Sequence, residues 1–422
     1  MQINRDLYLN KLVHAIGNQM IKVVTGMRRC GKSYLLFSIF HNYLTEHNVD
    51  ENHIIEVDLE SRLNKNLRNP DALLEYLFAR ISDEEHYYIL LDEVQLVNEF
   101  EDVLNSFLKV KNVDVYVTGS NAKFLSKDVI TEFRGRGDEI RIHPLSYKEF
   151  ADFRQGEPLQ MLREYLLYGG LPQVVIETDE KKKVEYLKKQ FTNTYLRDIR
   201  ERYSIQHDDD LNELVSIIAS TVGSMTNPTN LANTFKTEKK STISRDTIAK
   251  YLEYMEDAFM IERSIRYDIR GKRYIDTPYK YYFGDIGLRN ARINFRQTDN
   301  GHLMENMLYN ELRILGFSVD VGQVIVEQKD ADGSRKRVTL EVDFVCNRGY
   351  NRIYIQSAYE MSDEDKIHQE TKSLKRLSDS FRRVIITGPL QPTMMDEYGI
   401  MYVNIFDFLD HPAQYLESLV SH

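Results

Sequence analysis

The chain has 422 residues, with 55 lysines and arginines against 65 aspartates and glutamates, a formal net charge of −10. An acidic balance excludes a wholly polybasic nucleic-acid binder, although a basic module can sit inside an acidic chain. Hydrophobic residues at 42% and charged residues at 28% exclude intrinsic disorder, and at roughly 100–200 residues per domain the length predicts two to four domains.

The elements follow in chain order. IKVVT (21–25) is a short β-branched run ending at Gly26, the pattern of a buried parallel strand, and SYLLFSIFHNYL (33–44) has helical spacing. IIEVDL (54–59), YYILLDEV (87–94) and DVYVTGSN (114–121) repeat the strand signal, with a helix expected over 70–81. Alternating strands and helices predict a parallel sheet wrapped by helices, placed at 1–155. Helical patterns fill 156–229. Residues 230–299 read as a winged helix-turn-helix: Ser244 caps SRDTIAKYLEYMEDAFMIE, and two β-like runs follow as the wing. Residues 300–422 read as a second α/β module with the strands VTLEVDFVC, RIYIQSAY and RVIITG.

Only Cys30 and Cys346 are cysteines, too few for a disulfide framework, and no Cys/His cluster has zinc spacing. The first residues lack the apolar core of a signal peptide, and nowhere do ~18 uncharged apolar residues run together. These features predict a cytoplasmic, reduced protein without a membrane partner.

Gly26-Met27-Arg28-Arg29-Cys30-Gly31-Lys32-Ser33 fits the G-x-x-x-x-G-K-[ST] phosphate-binding loop. Glycines let successive backbone N–H groups curl around phosphate oxygens at a helix N-terminus. Lys32 then reaches the β/γ-phosphates and Ser33 ligates Mg²⁺, so ATP and Mg²⁺ are the expected cofactors. The strand YYILL delivers Asp92 as a second Mg²⁺ partner, with Glu93 beside it to polarise the attacking water. Ser120 and Asn121 end the neighbouring strand as candidate γ-phosphate sensors. Arg136, and less strongly Arg134, is a candidate arginine finger acting in cis or from a neighbouring subunit.

Together, GMRRCGKS, YYILLDEVQ, VYVTGSNA, FRGRGDEIRIHPLSYKEF, YLLYGGLP, TYLRDIRERYSI and YYFGDIGLRNA resemble, in order, the bacterial and archaeal AAA-type ATPases that carry a conserved C-terminal domain of unknown function. The resemblance implies an α/β fold with a P-loop NTPase (AAA+-like) parallel-sheet core. It further implies a helical and winged-helix middle region and a C-terminal module resembling degenerate PD-(D/E)xK restriction-endonuclease-like nucleases.

Residues 230–296 hold 14 lysines and arginines against 9 acids, a local charge of +5 that leaves −15 for the remainder. Lys236, Lys239, Lys240, Arg245 and Lys250 are therefore candidate contacts to double-stranded DNA, although Glu253, Glu256 and Asp257 on the same segment would repel phosphate. In the C-terminal module Glu305, Glu341 and Asp343 follow the nuclease order. Where that order expects E-x-K, however, the chain has Gln356-Ser357-Ala358. A nuclease site needs clustered carboxylates and a lysine. With Lys366 and Lys372 as the candidates for a displaced lysine, the simplest reading is a vestigial site kept for binding. The expected function is an ATP-driven conformational switch. Its rivals are an ATP-gated DNA-binding regulator, a protein-interaction switch with an unknown protein partner, and, least favoured, an active nuclease. An oligomer is compatible with the finger.

Overall fold

The computed structural model describes residues 3–120, 135–205, 208–239, 243–296, 299–329, 335–361 and 363–416. They fall into two units, Met1–Pro144 with Asp257–Phe259, and Leu145–Glu256 with Met260–His422.

In the first unit β1 (Ile21–Thr25), β2 (Ile54–Asp58), β3 (Tyr87–Asp92), β4 (Val113–Gly119) and β5 (Gly137–Arg141) form one sheet in the order β2-β3-β4-β1-β5. Every pairing is parallel. β1 and β3 are buried at every residue, which is why they read as unbroken apolar runs. β5, with sequence GDEIR, buries only Ile140 and gives no such signal. Ile89, Leu91, Val115 and Val117 pack against Leu73 and Leu77 of helix Pro70–Phe78 and Phe100 and Leu104 of helix Phe100–Phe107. Because the strands are parallel, their C-terminal ends share one edge, and the loops after β1 and β3 meet there.

The second unit begins at Leu145, short of the expected core boundary at 155. Helix Tyr147–Arg154 opens with a capping box between Ser146 and Glu149. The Tyr147 N–H donates to the Glu311 carboxylate at 2.7 Å, which ties this helix to Asn300–Ile314 far along the chain. Two of the motifs singled out above, YLLYGGLP in the helical region and FGDIGLRNA further along the chain, prove to be partners. Asp285 of FGDIGLRNA accepts the Gly170 N–H at 2.8 Å and the Leu288 N–H at 2.9 Å, and the Asn290 side-chain amide donates to the Leu166 and Leu167 carbonyls. Gly169 has φ +75°, and a Cβ there would stand 2.5 Å from the Asp285 carboxylate.

β6 (Ile261–Asp268), β7 (Arg273–Phe283), β8 (Ser318–Lys329), β9 (Arg335–Arg348), β10 (Asn351–Ala358), β11 (Arg382–Thr387), β12 (Met394–Met395) and β13 (Met401–Asn404) make an eight-stranded mixed sheet, ordered β12-β13-β11-β10-β9-β8-β6-β7. The separate winged helix drawn over 230–299 is therefore revised. Helices Pro228–Thr234 and Arg245–Asp257 and the hairpin β6–β7 are present. The hairpin is no free wing, because β6 pairs in parallel with β8 from Arg266↔Val321 to Asp268↔Gln323. The boundary at 299/300 cuts through one sheet.

Candidate functional site

The loop after β1 turns at Gly26, with φ +143°, where a Cβ would lie 2.2 Å from the Ile142 carbonyl oxygen, and again at Gly31, with φ +101°. Only glycine supplies both turns without strain. Met27 and Cys30 are buried and anchor the loop, Arg28 is half-buried, and Arg29, at φ +65°, is exposed. Arg5 braces it from outside the motif: its guanidinium donates to the Cys30 carbonyl at 3.3 Å and the His143 carbonyl at 2.7 Å. The Lys32 ammonium donates to the Gly26 and Met27 carbonyls, both at 3.1 Å, so the loop holds a cation among its own carbonyls.

Across the edge, the Ser33 hydroxyl donates to Asp92 Oδ2 at 2.8 Å. Asp92 is 4% exposed, and burial pushes its carboxyl above the usual carboxylate range despite hydrogen bonds from Thr118 and Ser33. Thr118 on β4 donates to Asp92 Oδ1 and accepts the Glu93 N–H at 2.9 Å. Glu93 stands at φ +53°, and its Oε2 accepts hydrogen bonds from Ser120, at 3.0 Å, and from the Gln95 amide. A hydroxyl and a buried carboxylate are an all-oxygen donor set, and the buried charge calls for a cation, so the residues present fit Mg²⁺.

Ser120 thus joins the acidic pair. Asn121 and Arg134 lie outside the described residues. Arg136 is exposed, and its carbonyl accepts the Ile21 N–H at 2.9 Å, at the start of β1. The loop leaves from the other end of that strand: by the Ile21↔Gly137 pairing Arg136 is level with Met20, six residues before Gly26, or roughly 20 Å along the strand at about 3.3 Å per residue. Arg136 therefore lies at the opposite end of β1 from the loop. Thr118 was missed by the sequence reading; its signal was its place one residue beyond the Leu91↔Val117 pair, on the face that carries Asp92.

In the second unit Lys236, Arg245 and Lys250 are exposed, together with Glu253. Lys239 is described by its backbone alone, and Lys240 lies outside the described residues. Glu305, Glu341 and Asp343 come together around a residue that the sequence order hid. Lys280 of β7, 3% exposed, places its Nζ 2.8 Å from Glu305, 2.6 Å from Glu341 and 3.4 Å from Asp343. The Tyr282 hydroxyl adds a hydrogen bond to Glu305 at 2.7 Å. Burial opposes charge on Glu305, but Lys280, His302 and Tyr282 overcome it and hold that carboxyl down at about 2. Burial pushes Asp343 up to about 7. The Gln356 side chain accepts the Asp343 N–H at 3.3 Å and donates to Glu370 at 3.2 Å, so it orders the carboxylates. Beside them a cavity of about 450 Å³ is lined by His302, Glu305, Asp343, Gln356, Lys366 and Glu370 among others. A lone lysine in the aromatic run YKYYF was the only trace of Lys280 in the sequence.

An AAA-domain family model matches residues 18–151, and a domain of unknown function matches 159–299. An uncharacterized Haemophilus influenzae protein is 32% identical over 408 residues, covering 95% of this chain and 97% of its own length. An uncharacterized Methanocaldococcus jannaschii protein is 30% identical over 401 residues, covering 91% of this chain and 85% of its own. Among solved structures, the Aeropyrum pernix Orc1 protein in complex with DNA is similar over 70% of this chain and 93% of that one. Its 12% identity and TM-score of 0.30 are too low to carry a functional argument. No helix among the described residues is long and apolar enough to cross a membrane. With a P-loop at the C-terminal edge of a five-stranded parallel sheet, an AAA-domain match over residues 18–151 and two relatives matched over 97% and 85% of their own length, the chain belongs to the family of these relatives and carries an AAA-type P-loop domain.

Proposed function

We propose that the chain is a Mg²⁺-dependent ATPase whose nucleotide state sets the conformation of the elements around its sheet edge. One observation supports this reading: the connected line Ser33–Asp92–Thr118–Glu93–Ser120 beside the phosphate loop, in which Asp92 would serve the metal and Glu93 the water. The loop amides and Lys32 hold phosphate oxygens, and Ser33 and Asp92 would hold the metal. Mg²⁺, when bound, neutralises charge on the transferring phosphoryl group. Glu93 accepts the proton of the attacking water at its carboxylate, and Ser120 orients that carboxylate. Lys32→Ala and Asp92→Ala should each abolish ATP turnover in purified protein; turnover retained by either variant overturns the assignment.

Arg136 serves a neighbouring copy, since it stands at the far end of its own sheet. Arg136→Ala and Lys32→Ala proteins should then be inactive separately and regain turnover when mixed. An inactive mixture counts against a trans finger.

A second reading, an ATP-gated contact with double-stranded DNA, is favoured by the exposed cations Lys236, Arg245 and Lys250. It predicts duplex binding that weakens steeply with salt and changes with ATP. Cleavage is not part of the proposal, because Lys280 fills the position among Glu305, Glu341 and Asp343 that a catalytic cation would need.

A further inference from the structure

The end of the eight-stranded sheet remote from the carboxylate cluster carries a second concentration of charge, of opposite sign. Arg348 closes β9, Arg352 is the second residue of β10, and Arg382 and Arg383 open β11. Register sets them side by side: Asn351 pairs with Arg348, Ile353 with Arg382 and Tyr354 with Arg383. They line a cavity of about 680 Å³. Along β10, Arg352 is five residues from Ser357, about 17 Å at strand rise, so this is a different place from the site around Asp343.

Arg352, Arg382 and Arg383 make their hydrogen bonds to neutral groups, and Arg352 also feels the Asp320 carboxylate. Arg382 donates to the Gln414 and Tyr415 carbonyls, at 3.2 and 2.9 Å, and Arg383 donates to the Leu377 and Asp379 carbonyls, at 3.0 and 2.8 Å. Arg352 donates to the Asn347 side chain at 2.8 Å and lies 4.9 Å from the Tyr267 ring centroid and 5.5 Å from that of Phe381. Such contacts fix orientation without cancelling charge. Asp379 is the acid in the lining, and its carboxylate is engaged by the Tyr354 hydroxyl at 2.7 Å and the Phe381 N–H. Four arginines against one acid leave the lining at +3 in a chain of −10. Asp396, just outside, is occupied by the Tyr398 and Ile400 N–H groups, and Glu397 flanks Tyr398.

Exposed aromatics rim the same cavity. Tyr350, at the β9–β10 turn, is fully exposed, Tyr398 is 56% exposed and Phe381 39%. Lys375 Nζ sits 4.2 Å from the Tyr398 ring centroid. A basic groove with open aromatic faces is the arrangement that takes a flexible phosphate backbone and stacks unpaired bases. A duplex keeps its bases stacked inside and cannot use those rings.

We infer that this groove binds single-stranded nucleic acid, with the arginines on phosphates and Tyr350 and Tyr398 stacking bases. The inference does not rest on ATP turnover. The test is fluorescence anisotropy of a labelled dT12 oligonucleotide with full-length protein, across a salt series. Tyr350→Ala should weaken binding about 5- to 100-fold, because stacking on one aromatic contributes that much per base. Arg382→Gln with Arg383→Gln should lower the salt slope by about 1.4, at ~0.7 per lost phosphate contact. Lys236→Gln with Lys250→Gln and Lys32→Ala should leave dT12 binding unchanged. Tyr350 is fully exposed, so its loss leaves folding and ATP turnover intact. The inference is overturned if dT12 does not bind, if the Tyr350 and arginine variants bind as wild type, or if a duplex or a phosphorylated peptide competes better than unlabelled dT12.

Discussion

Lys280→Met removes the ammonium that Glu305, Glu341 and Asp343 share. Taking one partner from a buried ion pair costs about 3–5 kcal/mol, because the remaining charge stays desolvated. Glu341 is 39% exposed at its side chain, so water screens it and its share is small. Asp343, already pushed up to about 7 by burial, relieves part of the strain by taking up a proton. The loss then falls on Glu305 and lies near the lower figure, about 3 kcal/mol. For a unit of this size that lowers the unfolding midpoint by about 6–12 °C. Followed by circular dichroism in nucleotide-free protein at pH 7, the variant should also regain stability with millimolar Mg²⁺, since its bared carboxylates now accept a divalent cation, whereas wild type should not respond. A midpoint shift under about 2 °C, or an equal Mg²⁺ response in wild type, refutes the idea that Lys280 stands in the place of a metal.

Two further outcomes follow from the geometry. Thr118→Val removes the hydroxyl that donates to Asp92 and accepts from the Glu93 N–H, and should lower turnover about 10- to 100-fold, as loss of a group that orients a metal ligand does; steady-state phosphate release measures it. Glu311, raised to about 7 by burial, stays protonated in the folded protein over a range where the unfolded chain ionises near 4.5. Stability is therefore present below about pH 4.5 and falls as pH rises toward 7, by about 3 kcal/mol, and Glu311→Gln, which keeps an acceptor for Tyr147, should flatten that fall in urea melts at pH 5 and 7.5.

The nucleotide site was legible because its chemistry is local. The eight residues from Gly26 to Ser33 are contiguous, and buried parallel strands such as β1 and β3 announce themselves as apolar runs. β5 was silent because an edge strand needs only one buried side chain. What the sequence hid was non-local. Helix Tyr147–Arg154 belongs with the second unit through a carboxylate 164 positions away. The hairpin β6–β7 joins a sheet through three paired residues of β8. Lys280 meets Glu305 and Asp343 across 25 and 63 positions, so a search for E-x-K in one strand passes it by. For Arg136, adjacency to a strand does not say which end of the sheet it occupies; parallel pairing with β1 does.

The central claim is that Glu93 activates water at a site where Lys32, Ser33 and Asp92 hold the nucleotide. It is tested most directly by measuring ATP affinity and ATP turnover side by side for Glu93→Gln. Glutamine keeps an acceptor for Ser120 but cannot take the proton, so the variant should bind ATP as tightly as wild type while turnover falls about 100- to 10,000-fold. Turnover within a few-fold of wild type, or loss of ATP binding together with turnover, contradicts the claim.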